Sequence, residues 1–132
     1  MGDIWNKFKM LFKKDIELHH ETYDRKEYMS NKKIKPGIIL FLKQFHMIEV
    51  FDKPGDIKTG LLKYRDIPKN VAFLFRFKDE DIREFHTRGM RFNINIYFYN
   101  KFGKLVRKYE NCESGNHYSS VIPCKYVVET KS

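Results

Sequence analysis

Apolar residues alternate strictly with polar or amphipathic ones in Arg91-Phe92-Asn93-Ile94-Asn95-Ile96-Tyr97-Phe98-Tyr99, near the middle of the chain. Successive side chains of a β-strand point to opposite faces, so the four apolar positions (Phe92, Ile94, Ile96 and Phe98) share one face. Polar or amphipathic side chains occupy the other face. The pattern predicts a half-buried β-strand over 91–99.

Flanking segments extend this strand into a sheet. The sequence Asn100-Lys101-Phe102-Gly103 has turn chemistry, which predicts an antiparallel hairpin between 91–99 and 104–109. Residues 71–77 are nearly all apolar, which is typical of a strand covered on both faces. We therefore expect 71–77 to be the central strand and 125–129 to be the last one.

The region between the linker and the central strand is less regular. Residues 38–42 and 46–51 are predicted to form two strands or one long bent strand. Residues 52–56 contain Pro54-Gly55 and are predicted to form a turn. We expect a short helix over 57–64 and a single helical turn within 78–85.

The N-terminal residues form a separate pattern. Placed on a helix, residues 4–18 gather an apolar sector with lysines outside it. Three roles are compatible with this amphipathic helix: packing on its own domain, docking into a partner's groove, or lying on an anionic membrane surface, which is the least favoured. The candidate partner-binding residues are Ile4, Trp5, Phe8, Leu11 and Phe12, with Lys7, Lys13 and Lys14.

Length and composition give the domain organisation and fold class. The 132 residues, of which 16% are aromatic, fit one β-rich domain with an appendage. We divide the chain into a helical arm (1–18), a polar linker (19–37) and a domain (38–132). The predicted class is α+β, mainly β, with a largely antiparallel sheet, short helices and the N-terminal amphipathic helix.

Charge suggests classes of partner. Twenty-six basic against seventeen acidic side chains give a net charge of +9, which would attract an acidic protein, a nucleic acid or an anionic lipid. The basic residues are spread along the chain rather than clustered. A nucleic-acid surface on the predicted hairpin is the alternative hypothesis, with exposed tyrosines stacking on bases and cations meeting phosphates: Arg91, Tyr97, Tyr99, Arg107 and Lys108.

No reaction is indicated by the residue pattern. Ser119 and Ser120 lie near His117, but a serine-rich entry to a strand usually caps backbone groups. The acidic run at 79–81 is more typical of a solvated face than of a cation loop. We therefore predict no catalytic residues, no metal site, no cofactor and no identified small-molecule substrate.

Two further patterns bear on location. Cys112 and Cys124 lack metal-type spacing, so reduced thiols are the expectation. The sequence shows no apolar run of about 20 residues and no secretory signal at its start. We expect a cytoplasmic or virion-associated protein.

A series of short motifs follows in order between residues 46 and 129. They are Ile48-Glu49-Val50, Gly60-Leu61-Leu62, Arg65 with Ile67-Pro68, Phe73-Leu74-Phe75-Arg76-Phe77, the strand 92–98, Gly103-Lys104-Leu105-Val106, and Tyr118-Ser119-Ser120 through Glu129. This order resembles the prokaryotic family called domain of unknown function 192. The N-terminal arm lies outside the resemblance.

What the resemblance implies is a compact, mainly β domain with a small barrel-like sheet and no established catalytic residues or cofactor. The chain departs from the family where Phe-Trp-Met-Lys-Asn-Thr is replaced by residues 85–90, and where a Pro and an Asp become Asn93 and Asn95. We therefore expect a non-enzymatic binding or structural module that docks through its N-terminal helix to a larger assembly, in a phage or a bacterium. A protein partner is favoured over a nucleic acid.

Overall fold

The computed structural model describes residues 21–24 and 36–132, and the following elements lie within them. The helices are α1 (Pro36–Leu42) and α2 (Pro54–Thr59). The strands are β1 (Glu21–Asp24), β2 (Met47–Phe51), β3 (Val71–Asp81), β4 (Glu84–His86), β5 (Ile94–Tyr99), β6 (Leu105–Cys112), β7 (His117–Ser119) and β8 (Cys124–Lys131).

Six of these strands form one sheet in the order β1-β2-β3-β8-β5-β6, and β4 pairs with β7 in a small second sheet. The β2–β3 pair is parallel and the other neighbours are antiparallel, so a mainly β, largely antiparallel fold is confirmed. Within the described residues the outer strands β1 and β6 do not pair with each other. The expectation of a barrel-like sheet is therefore wrong, because the sheet stays open.

Both faces of the large sheet are covered. The pocket face carries Phe51, Phe73, Phe75, Ile96 and Phe98, and it packs against α2, the turn after it and the β4–β7 pair. The helix face carries Ile48, Val50, Leu74, Tyr97 and Val128, and it packs against α1 and Phe45. This double cover explains why β3, predicted to be central, is apolar on both sides.

Residues 36–42 form a helix, so the prediction of a strand over 38–42 is wrong. The buried positions Ile38, Leu42 and Phe45 recur with a helical spacing, and a short apolar run alone cannot distinguish the two periods. Pro36 occupies the first helical position, where its fixed φ is favourable. The second helix likewise begins at Pro54, within the predicted turn and earlier than the predicted 57–64.

Residues 78–85 are extended rather than a helical turn. The central strand continues to Asp81 after a register shift between Arg76 and Asp81, and β4 begins at Glu84. The predicted last strand is confirmed as β8, and the predicted hairpin as β5–β6, with Gly103 at φ 79 in its turn.

The strand β5 is buried on both faces, so the prediction of a half-buried strand is wrong. Tyr97 and Tyr99 are only 9% and 3% exposed because α1 covers them, and the Phe41 ring lies 4.4 Å from that of Tyr97. Sequence alternation could not predict this cover, since tyrosine suits both a wet and a buried face.

Two further observations concern the described residues. Cys112 and Cys124 are buried free thiols. No helix among residues 21–24 and 36–132 is long and apolar enough to cross a membrane.

Candidate ligand-binding pocket

A pocket of about 360 Å³ opens on the pocket face of the sheet, beside α2 and β4. Its walls come from the turn after α2, the segment joining β3 to β4, and the strands β5 and β8. The lining residues are Ile57, Lys58, Gly60, Leu61, Leu62, Phe77, Ile82, Arg83, Glu84, Phe85, His86, Met90, Ile94 and Glu129. Most of the side chains are apolar, with a few polar groups among them, as in small-molecule sites.

Glu129 lines the pocket from the sheet itself. It pairs with Phe73 on one side and Ile96 on the other, so its side chain enters the apolar layer between them. The residue is only 5% exposed, and no group among the described residues donates a hydrogen bond to its carboxyl. Burial raises the pKa of Glu129 from 4.5 to about 8, because the charged form loses its hydration. Glu129 is therefore predominantly protonated at neutral pH.

Arg83 supplies the second polar group of the pocket. Its guanidinium lies 3.9 Å from the centre of the Phe77 ring, and its Nη2 donates to the Asp79 carboxylate at 2.8 Å. Its Nε is buried without a hydrogen-bond partner in the described part of the chain. The Cys124 thiol is a neighbour of the Arg83 side chain, which lowers the pKa of this thiol against the larger, opposite effect of burial.

Backbone hydrogen bonds fix the position of Arg83. Its N–H donates to Ser120 Oγ at 2.9 Å, and the Ser120 N–H donates back to the Arg83 carbonyl at 2.8 Å. Ser119 Oγ accepts the N–H of Val121 at 3.0 Å. Both serines thus satisfy backbone groups, as their place before a strand predicted.

The mouth of the pocket is held by Thr87. This side chain is fully buried, and its hydroxyl donates to the Glu113 carbonyl at 2.6 Å and accepts the Asn116 N–H at 3.0 Å. The pairing of β4 with β7 adds a side-chain contact of 2.9 Å between His117 Nδ1 and the Glu84 carboxylate. These contacts fix the segment that carries Phe85 and His86 over the sheet.

The side chains weighed as a nucleophile and a base have other partners. The hydroxyls of Ser119 and Ser120 are engaged with backbone groups, and His117 pairs with an exposed carboxylate. No group of three or more potential metal ligands occurs in the part of the chain that the structure describes. The pocket combines an apolar wall with two polar groups that have no hydrogen-bond partner among the described residues.

The residues predicted for nucleic-acid binding do not form one platform. Tyr97 and Tyr99 are buried, and burial raises the pKa of Tyr97 to about 12. Lys108 pairs with Tyr97 and Arg107 with Phe98, so the two cations point to opposite faces of the sheet. The expectation that the two tyrosines are exposed is therefore wrong.

The exposed cations of this hairpin have local partners. Arg107 Nε donates to the Tyr109 hydroxyl at 3.0 Å, and Lys108 lies 3.5 Å from Glu110. Arg91 is exposed ahead of β5. The predicted partner-binding residues of the arm, from Ile4 to Lys14, lie outside the described residues.

Sequence reasoning did not identify Glu129 and Arg83 as site residues. One signal was present: Val127 and Glu129 share a face of the last strand, so a carboxylate follows a core position. A charged residue at an inward position of a buried strand is unusual enough to mark a site. For Arg83 no signal was available, because its burial depends on the return of residues 118–120.

The comparisons with known proteins agree with this fold. The model of the family DUF192, described as an uncharacterized ACR, matches residues 41–132. A structure described as a "putative transcription regulator" from Sinorhizobium meliloti 1021 is similar, with 19% identity and a TM-score of 0.62, over 65% of this chain and 68% of that one. A protein of unknown function from Novosphingobium aromaticivorans DSM 12444 has 16% identity and a TM-score of 0.62, over 67% and 64%.

At these identities the likeness to the two structures concerns the fold alone. The comparison with curated proteins finds no match.

Proposed function

The chain belongs to the DUF192 family, and from this membership and the pocket geometry we propose that it is a binding module for a small, largely apolar ligand. The observation that carries the proposal is the carboxyl of Glu129, which is almost fully buried, has no hydrogen-bond partner within residues 21–24 and 36–132, and lines the pocket. Burying such a group without a hydrogen bond is costly. A ligand that supplies the missing partner would remove that cost.

The shape of the site supports this function. A volume of about 360 Å³ lies within the range of small-molecule pockets, roughly 300–1,000 Å³. Phe85 packs edge-on against Phe75 and Phe98, with ring centroids 5.4 and 5.9 Å apart. These rings hold the wall in place before any ligand arrives, which lowers the entropic cost of binding.

The test is to titrate the full chain with small alkyl and aromatic compounds and to follow backbone amide shifts by NMR. We expect shifts at Gly60, Leu61 and Met90, which line or border the pocket, and recovery of the compound unchanged. Shifts scattered over the surface, or none, would overturn the proposal.

A pair of matched variants locates the binding site. Leu62 lines the pocket and is 37% exposed, whereas Leu105 is 42% exposed on another surface. Leu62→Trp should block binding by filling the entrance, and Leu105→Trp should leave binding unchanged. Both changes add the same bulk at a partly exposed leucine, so a difference between them reports on position.

A second proposed function is docking of a protein partner through residues 1–18, and it rests on the apolar sector flanked by lysines. A larger assembly of a phage or a bacterium is the proposed partner. Deleting residues 1–18 should abolish co-purification of that partner while the domain stays folded by circular dichroism. An unfolded or insoluble truncation would mean that the segment belongs to the core.

The nucleic-acid hypothesis now depends on charge alone, since Tyr97 and Tyr99 are buried. If the hairpin binds single strands, affinity should fall steeply as salt rises, because phosphate contacts release counterions. The double variant Arg107→Ala/Lys108→Ala should reduce the slope of that dependence. Absence of binding at low salt would end the hypothesis.

A further inference from the structure

We propose that the ligand of this pocket carries a hydrogen-bond acceptor, a carboxylate on an apolar body, and that Glu129 and Arg83 bind it as donors. The inference rests on the proposed function, because it names the class of molecule that the same pocket takes. It concerns reversible binding and involves no covalent step.

The two polar groups without partners set the chemistry. The Arg83 Nε–H is a donor in every protonation state that proteins reach, and it is buried beside the pocket without an acceptor. The Glu129 carboxyl lies in an apolar layer between Phe73 and Ile96, where no donor from the described part of the chain stabilises its charge, so it keeps its proton and presents an O–H. Both groups therefore lack an acceptor, and the ligand must bring one.

The charges around the pocket also favour a ligand that carries a carboxylate. Lys58 on α2 lines the pocket, and so does Arg83, whose Nη2 is bonded to Asp79; Glu84 at the edge lies within hydrogen-bond distance of His117. An organic ammonium would meet these cations and would also require Glu129 to ionise. An anionic head would be attracted by the cations and by the net charge of +9.

Other titratable groups near Glu129 do not reverse this reasoning. On β6, burial raises the pKa of the Cys112 thiol, which therefore stays neutral near pH 7. His86 lines the pocket at its exposed edge. Glu49 on β2 lies in the same transverse row of the sheet, one strand beyond Phe73.

The apolar wall of the pocket determines what the rest of the ligand must be. Leu61, Met90 and Ile94 line the pocket and are almost fully buried, and the edge residues Leu62 and Ile82 are partly exposed. A short alkyl chain or a single ring can cover this wall. The class is thus a small amphipathic organic acid.

Three probes that carry a similar alkyl chain and differ in their polar head group distinguish the classes of ligand: hexanoate, hexanamide and hexylammonium. Isothermal titration of the full chain at about pH 6 and about pH 9 brackets the pKa of Glu129. We expect hexanoate to bind most tightly at about pH 6 and to weaken at least about tenfold at about pH 9, where the carboxyl loses its proton. Hexylammonium should bind more weakly than hexanoate at the lower pH.

Two variants test the assignment of donors. Glu129→Gln keeps a donor at every pH, so its hexanoate affinity should no longer depend on pH; Glu129→Leu should lose most of the affinity at both pH values. Circular dichroism and unfolding curves show whether each variant is folded. If Glu129→Leu does not fold, the pH dependence of hexanoate binding to Glu129→Gln tests the assignment by itself.

The outcomes separate the two proposals. Hexylammonium binding tightest at the pocket amides, and more tightly at about pH 9 than at about pH 6, would overturn the acceptor assignment while supporting a binding pocket. Binding of hexanoate with no dependence on pH in the unmodified chain would also overturn it. If none of the probes shifts the pocket amides, both proposals fail.

Discussion

Glu129 lies directly opposite Ile96 in the antiparallel pairing of β8 with β5, and the two side chains enter the same layer. Ile96 is fully buried and Glu129 is 5% exposed, so a carboxyl occupies a position that its neighbours fill with hydrocarbon. A fold could avoid this cost with a leucine. This cost to stability is the premise of the proposed binding pocket.

This burial makes stability depend on pH. The pKa of Glu129 rises from 4.5 to about 8 on folding, so the folded state binds the proton more tightly than the unfolded state. The stabilisation is fully present below about pH 4.5 and is lost as pH rises through about 8. Glu129→Gln should remove this dependence and exceed the unmodified chain in unfolding free energy at about pH 9, by a few kcal/mol.

Urea unfolding across that pH range measures the effect. The matched control is Glu113→Gln, which removes an exposed carboxylate away from the pocket and should leave the slope between about pH 5 and 9 nearly unchanged. If the unmodified chain gains stability on going from neutral to alkaline pH, Glu129 is not buried as described.

The two Pro-Gly sequences that open the helices provide a second prediction. A Cβ on Gly37 would collide with the carbonyl oxygen of Gly103, whereas a Cβ on Gly55 would meet nothing within 4 Å. Gly37→Ala should therefore lower the unfolding free energy by at least about 2 kcal/mol, since α1 would have to move off the β5–β6 turn. Gly55→Ala should be neutral or stabilise by about 0.5 kcal/mol.

Thermal unfolding of both variants tests this contact. Each substitution has the same chemistry at the same position of a helix, so the difference isolates the close approach to Gly103. Equal effects in the two variants would show that α1 does not pack against the turn in solution.

Local periodicity accounts for what the sequence predicted correctly. The alternation over 91–99 and the turn at Asn100–Gly103 specify a hairpin through nearest neighbours, and both were confirmed. The apolar run at 71–77 likewise identified the central strand. These signals need no knowledge of distant contacts.

Several failures depend on what packs over an element. The apolar run at 38–42 fits the period of a strand or of a helix. The helix forms because α1 then packs its buried side chains on the helix face of the sheet. Tyr97 and Tyr99 are buried for the same reason. The pocket could not be predicted because its walls come from four segments that are far apart in sequence.

Val121 gives a third prediction. It adopts φ 62, a conformation that is costly for a β-branched residue, and it is 52% exposed. Val121→Asn should raise the unfolding free energy by about 1 kcal/mol, because asparagine tolerates this backbone conformation. The control Val106→Asn, in β6, should lower stability, since Val106 is partly buried against the core. A loss of stability in Val121→Asn would mean that the valine side chain has a contact worth more than its strain.

Thr87 provides the last prediction, because its hydroxyl joins β4 to the loop before β7. The hydroxyl donates to the Glu113 carbonyl and accepts the Asn116 N–H, and all of Thr87 is buried. Thr87→Val keeps the shape but leaves the Asn116 N–H without its acceptor among the described residues and removes one of the two donors to the Glu113 carbonyl, so it should cost about 1–3 kcal/mol. Thr87→Ser keeps the hydroxyl and should cost less.

Hydrogen exchange at Asn116 is the local measurement: it should accelerate in the valine variant and stay slow in the serine variant. Because this loop holds Phe85 over the sheet, the valine variant should also weaken hexanoate binding, and unchanged binding would show that the pocket wall is held by other contacts.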